Sequence, residues 1–184
     1  MLVHKRSNPC DGLDLSTVTT TYNVSDADKA KIPYTGTDTL IFKSDAGDTA
    51  ILYGQGKIDY YITDQKGGGS ADCPKTYKYK YENVEVDFTS TNSNLYQLSF
   101  TAFMNDMGGT SSGVLIKAND LQICGSGFDY IDSKINNSED SIFLNSIYQK
   151  GVYIQYSSKS VLFNYTKGIL KFIDSNNKTW TKLK

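Results

Sequence analysis

Two stretches 130 positions apart carry one pattern: LIFKSDAGDTA, from Leu40 to Ala50, and LKFIDSNNKTW, from Leu170 to Trp180. Leu40 matches Leu170, Phe42 matches Phe172, Gly47 matches Asn177 and Thr49 matches Thr179. Alternating apolar residues run into a polar cluster in each, which is how a strand enters a hairpin. Gly and Asn tolerate a positive φ best, so the shared position is expected to be a left-handed turn residue. The first copy alone, with Asp45, Gly47 and Asp48 crowded together, could be taken for a cation loop. The second copy puts Lys178 where the first has Asp48, which a calcium loop would not tolerate. A hairpin tip accounts for both copies, and the echo places the first and last hairpins side by side.

Strand signals extend over most of the chain. DTLIF leads into the first turn, DTAILYGQG returns, and KIDYYIT reads as a third strand. The glycines of YGQGK, Tyr53 to Lys57, lack phosphate-loop spacing and read as a bulge or tight turn. DQKGGGSADCP, Asp64 to Pro74, reads as a flexible loop. In TYKYKYENVEVDF the tyrosines Tyr77, Tyr79 and Tyr81 share one parity, and Val84, Val86 and Phe88 the other. A single buried face cannot hold both sets, so a β-bulge is expected near Glu82–Asn83. LYQLSFTAF places Tyr96, Leu98, Phe100 and Ala102 on one face, and VLIKANDLQIC reads as a hairpin turning at Asn119–Asp120. SGFDYIDSKINNSEDS is expected to be loop or irregular edge, with room for one helical turn.

From Ile142 onward, short strands recur with turns every eight to twelve residues, the spacing of a sandwich or barrel. Near the start, Ser25 is placed to cap a turn of helix, with Asp28 three residues on and Pro33 ending it. The expected fold is all-β: an antiparallel β-sandwich or flattened barrel with one short N-terminal helical turn. Residues 1–24 form an extended polar leader and 25–184 a single β-rich domain. The core is expected to include Leu40, Phe42, Ile51, Val84, Val86, Leu98, Phe100, Leu162 or Phe163, Leu170, Phe172 and Trp180.

Composition narrows function by exclusion. Lys and Arg number 19 against 20 Asp and Glu, so no broad basic footprint for nucleic acid exists. No apolar run is long enough for a membrane-spanning helix, and MLVHKRSNPC has no apolar h-region. The chain is therefore either cytosolic or read without its export signal. His4 is the only histidine and sits in the polar leader, so the commonest general base is missing from the folded part. Three cysteines, Cys10, Cys73 and Cys124, show no zinc-ligand spacing. Their Gly, Pro and Asp neighbours favour one disulfide among three possible pairs. Sequons at Asn23, Asn136, Asn164 and Asn177 are of the frequency an Asn- and Thr-rich chain produces by chance.

Candidate chemistry is sparse. Asp59, Asp64, Glu85 and Asp87 are the acids in or beside strands from which a glycosidase-type pair could be drawn. The Tyr ladder at 77–81 and Tyr60–Tyr61 could stack on sugars or bases, although tyrosine is also an ordinary strand former. No catalytic, cofactor-binding or metal-ligating residue is nominated, and no cofactor is expected.

KIPYTGTDTLIFKSDAGDTAILYGQGK, the ending KGILKFIDSNNKTWTKL, and more loosely the DCPKTYKYKY segment together resemble uncharacterised small lipoproteins of Bacteroidetes-type bacteria. The resemblance implies an exported, lipid-anchored protein of the periplasm or cell surface, and no activity. Cys10 lacks a lipobox, so the lipidated cysteine is expected upstream of this chain. The leading expectation is a non-enzymatic envelope protein, a structural or binding module with a protein or glycan partner. The alternatives are a carrier of a small apolar ligand inside the β-fold and a His-free hydrolase using paired carboxylates.

Overall fold

The computed structural model describes residues 10, 13, 17–70, 73–91, 97–104, 112–119, 121–135, 141–144, 147–156 and 159–183. In chain order these form β1 (Val18–Tyr22), α1 (Asp26–Lys29), β2 (Thr39–Ser44), β3 (Thr49–Ser70), β4 (Cys73–Thr89), β5 (Gln97–Met104), β6 (Ser112–Ala118) and β7 (Leu121–Gly127). Then come α2 (Phe128–Ile135), β8 (Ser141–Leu144), β9 (Ile147–Lys150), β10 (Val152–Tyr156), β11 (Lys159–Asn164), β12 (Gly168–Ile173) and β13 (Thr179–Lys182). One sheet runs β10-β11-β12-β13-β2-β3-β4-β5-β6-β7, with β1 added in parallel on β4. Strands β8 and β9 pair separately. The sheet curls until its end strands β7 and β10 lie beside each other, yet it does not close. The fold is all-β and mostly antiparallel, a flattened open barrel.

The two echoing hairpins are neighbours, as their sequences predict. Strand β13 pairs with β2, Trp180 opposite Ser44. Gly47 has φ +92° and Asn177 φ +61°, both left-handed. The backbone bonds repeat as well. Gly47 N donates to Ser44 O at 3.0 Å and Ser44 N to Asp48 O at 2.8 Å. Asn177 N donates to Asp174 O at 3.2 Å and Asp174 N to Lys178 O at 3.0 Å. Echo partners also touch: the rings of Phe42 and Phe172 meet edge to face at 5.3 Å.

The core fills with rings and branched chains from nearly every strand: Phe42, Phe88, Phe100, Phe163, Phe172 and Trp180 are fully buried. Each contributes about 1.5–3 kcal/mol of apolar burial. Of the expected core set, Ile51 alone is not buried. It is half-buried opposite Ile41, because the register puts Ala50 and Leu52 on the core side of β3. Leu162 and Phe163 are both buried but on opposite faces, separated by a register shift. Phe163 joins the main core, while Leu162 and Leu170 pack outside it with Ile142 and Tyr153.

No bulge interrupts β4 at Glu82–Asn83. Its ladder with β3 is regular from Val86 opposite Lys57 to Cys73 opposite Ser70. The parity conflict resolves differently: β4 buries one face in its second half and the other in its first. Val84, Val86 and Phe88 enter the main core. Tyr79 and Tyr81 face outward and are covered by Tyr22 of β1, whose ring stacks on Tyr81 at 5.4 Å. The register shift lies instead in β3 between Gly54 and Lys57, the bulge expected of YGQGK. Gly56 takes φ +118° there, and a Cβ on Gly36 would strike its carbonyl carbon at 2.6 Å.

Residues 64–70, read as loop, continue β3, and β4 starts at Cys73. Glycine carries no veto against pairing, and Gly67, Gly68 and Gly69 sit opposite Thr76, Lys75 and Pro74. The Gly68 position leaves space that the Tyr77 ring occupies. Segment 128–135, expected as irregular, is the helix α2, with Phe128 and Ile131 buried at its apolar side. Tyr96 and Asp120 lie outside the described residues. Asn119, with φ +49°, forms the turn predicted there.

The segment before β2 is bound to the barrel by charge. Ser25 caps α1 by accepting from Asp28 N at 3.1 Å. Glu82, 5% exposed, accepts from Val24 N at 2.8 Å and Lys29 Nζ at 2.6 Å. Lys31 bridges Asp28 at 2.9 Å and Asp132 of α2 at 2.7 Å, and Tyr165 donates to Asp132 at 2.6 Å. Tyr34 is buried, and its hydroxyl accepts from Ile169 N at 2.7 Å. Cys10 and Cys73 form a disulfide, Cα atoms 5.5 Å apart, so the chain before β1 is tied to the tip of the β3–β4 arm.

Candidate functional site

The face of β3–β6 turned away from the core carries the polar side chains that pairing brings into rows. In an antiparallel sheet, residues directly opposite share a face. Asp87, Ser99 and Lys117 form one row. Ile58, Glu85, Thr101 and Leu115 form the next, and Tyr60, Asn83 and Phe103 a third. Ile62 and Tyr81 complete the face toward the arm.

Two grooves adjoin along these rows. A polar one of about 190 Å³ is lined by Glu85, Gln97, Ser99, Lys117 and Asn119. An apolar one of about 290 Å³ is lined by Ile62, Tyr81, Asn83, Phe103, Met104 and Leu115. Within the polar rows the acids are held. Ser99 Oγ donates to Asp87 Oδ1 at 2.5 Å, and Gln97 N to Asn119 Oδ1 at 2.9 Å. The Tyr60 hydroxyl is hydrogen-bonded to Glu85, and partial burial followed by that carboxylate pushes its pKa up to about 12. Tyr60 is therefore a neutral donor at physiological pH, not a base.

Among the sequence-nominated acids, Glu85 and Asp87 come together on this face. Asp59 does not: it is exposed and pairs opposite Val84, on the other side of the sheet. Asp64 shares the outer face but lies out on the arm, 3.7 Å from Lys66. The Tyr ladder packs on itself, with Tyr79 and Tyr81 centroids 6.4 Å apart and Lys66 over Tyr79 at 5.7 Å. Trp180 is buried in the core, its Nε1 donating to Asp174 at 2.9 Å. His4 lies outside the described residues, and so does the side chain of Cys124.

Ser99, Thr101, Phe103, Leu115 and Lys117 escaped the sequence reading. The signal was present in QLSFTAF. Once Leu98, Phe100 and Ala102 are assigned inward, alternation sends Gln97, Ser99, Thr101 and Phe103 outward together.

No protein-family model, curated protein or solved structure matches this chain. The site thus stands on its geometry. It presents carboxylate and amide acceptors, hydroxyl and ammonium donors, and an adjoining apolar trough on one continuous surface. Among the described residues no three His, Cys, Asp or Glu side chains cluster as a metal site. The disulfide fits an oxidising compartment.

Proposed function

We propose that the protein is a non-enzymatic, exported binding module of the cell envelope that holds a glycan across the outer face of β3–β6. The observation behind the proposal is the adjacency of the polar and apolar grooves on the same strands. A sugar chain offers hydroxyls on its edges and C–H patches on its faces. It can exchange hydrogen bonds with Glu85, Gln97, Ser99 and Lys117 while a ring lies over Phe103 and Leu115. A small number of placed polar groups beside apolar walls is the usual makeup of such sites. Export is supported by the Cys10–Cys73 disulfide.

The interior speaks for surface binding over an internal apolar ligand, because rings such as Phe100, Phe163 and Trp180 occupy it. Hydrolysis by Glu85 and Asp87 has less support, since each acid is engaged by a neighbouring hydroxyl.

The test is an array of neutral and uronic-acid oligosaccharides, followed by calorimetry on any hit with wild type, Lys117→Ala and Phe103→Ala. Weakening by tenfold or more, about 1.4 kcal/mol, in both variants at unchanged melting temperature supports the reading. An array without signal, or variants that bind as wild type does, overturns it. A peptide ligand on the same face would replace glycan by protein, and cleavage of a bound glycan would end the non-enzymatic assignment.

A further inference from the structure

Strand β3 leaves the body of the barrel with one edge unpaired among the described residues. Strand β2 pairs with it only as far as Tyr53, and the 36–38 turn extends the cover to Gly56 through Gly56 N to Gly36 O at 2.9 Å. From Lys57 to Ser70, among the described residues, β3 pairs with β4 alone. Nearly every residue from Lys57 to Gly69 is exposed, Ile58 at 55%, Tyr61 at 48% and Ile62 at 53%. Such an edge presents backbone N–H and C=O groups at the repeat of a strand, which only another polypeptide backbone matches. The usual charged guards are missing from the centre of this stretch. Its charges, Lys57, Asp59, Asp64 and Lys66, flank an uncharged run of good strand formers, Tyr60, Tyr61, Ile62 and Thr63.

We infer that this edge is a homodimer interface, in which β3 of a second copy adds antiparallel to β3 and joins two barrels through one continuous sheet. The occupant is argued from the edge's own complementarity. A two-fold axis through Ile62, normal to the sheet, sets Ile62 against Ile62 of the second copy. It then sets Tyr60 against Asp64, Ile58 against Lys66, Tyr61 against Thr63 and Asp59 against Gln65. No like charges meet in any of these pairs, and the exposed Ile58 and Ile62 gain cover. Opposed pairs of this kind favour the ladder, whereas like charges directly opposite disfavour it. Two-fold, self-complementary contacts are also the commonest closed assembly.

Sedimentation equilibrium on the full oxidised chain at about 5–100 µM tests the assignment. The expected mass is twice the 20.4 kDa of one chain. Ile62→Asp opposes two carboxylates at the axis while leaving an exposed position of the monomer polar. It should run at the single-chain mass with an unchanged circular dichroism spectrum and melting temperature. Ile62→Cys should cross-link copies to each other on mild oxidation. A wild-type chain that stays monomeric throughout, or a dimer indifferent to Ile62→Asp, overturns the interface. The glycan test uses β5 and β6 side chains, so failure there leaves this result independent.

Discussion

Lys178 Nζ lies 2.7 Å from Asp48 Oδ2, and the two residues hold equivalent places in the echoing hairpin tips. The position that argued against a cation loop, acid in one copy and cation in the other, joins the copies to each other. Lys178 holds the Asp48 carboxyl below its ordinary range, and Asp48 holds the Lys178 ammonium above its own.

The pair's pH window follows from those directions. Asp48 is depressed in the folded state, so its contribution is full above its unfolded value of 3.8 and fades as pH falls below. Lys178 is raised, so its contribution is full below 10.5 and fades above. The melting-temperature difference between wild type and Asp48→Asn should be flat between these limits and vanish at both extremes. Exposed pairs are screened, so the difference should also shrink in about 1 M salt. Asp48→Lys with Lys178→Asp should recover much of what either reversal loses.

Lys182 should respond in the opposite sense. It is 7% exposed, and its amine donates to Lys167 O at 2.6 Å. Burial, and then the neighbouring Lys167, push its pKa down to about 8 from 10.5. That depression corresponds to about 3 kcal/mol of penalty on the charged form. Between these values the unfolded chain binds more protons, so stability rises with pH, and the penalty is complete below pH 8. Lys182→Met should stabilise the protein by about 1–2 kcal/mol at pH 7, after losing one hydrogen bond of about 1 kcal/mol. Its advantage in urea midpoints should dwindle above about pH 9.

Glu82 holds the segment before β2 through Val24 N and Lys29. Glu82→Ala leaves a buried N–H unmet and should cost about 2–3 kcal/mol. Glu82→Gln keeps an acceptor and should cost less. Amide exchange should quicken at Val24 and along α1 in the alanine variant more than in the core strands. Uniform acceleration would show that Glu82 acts on the whole fold.

The Cys10–Cys73 bridge closes a sequence separation of 63. Chain entropy assigns such a bridge about 4 kcal/mol, of which about 2–4 is typically realised. Cys73→Ser should lower the denaturant midpoint accordingly. Denatured protein from an oxidising compartment should titrate one thiol before reduction and three after.

What could be read from the sequence was what depends on near neighbours. Alternation located Leu98, Phe100 and Ala102, and turn chemistry located Gly47 and Asn177. The cap at Ser25 and the bulge at Gly54–Lys57 followed from residues within four places of each other. Local sequence is silent where distant partners decide. The bulge expected at Glu82–Asn83 assumed one buried side, whereas Tyr22, Val24 and Met104, distant in sequence, give the tyrosines a cover on the other. The triple glycine joins a strand because Thr76, Lys75 and Pro74 stand opposite it. The polar rows on the outer face of β3–β6 went unseen for a similar reason. Ser99 and Lys117 are unremarkable singly, and pairing alone sets them in a row with Asp87.

The tether at the arm's tip also fixes how the molecule carries load. Tension on the chain before Cys10 passes through the sulfur bridge into Cys73 and bypasses the backbone between Cys10 and β1. The pull then runs lengthwise along β4, where the rungs shared with β3 are strained together rather than opened one at a time. A pull applied at that end would load the barrel through its longest ladder.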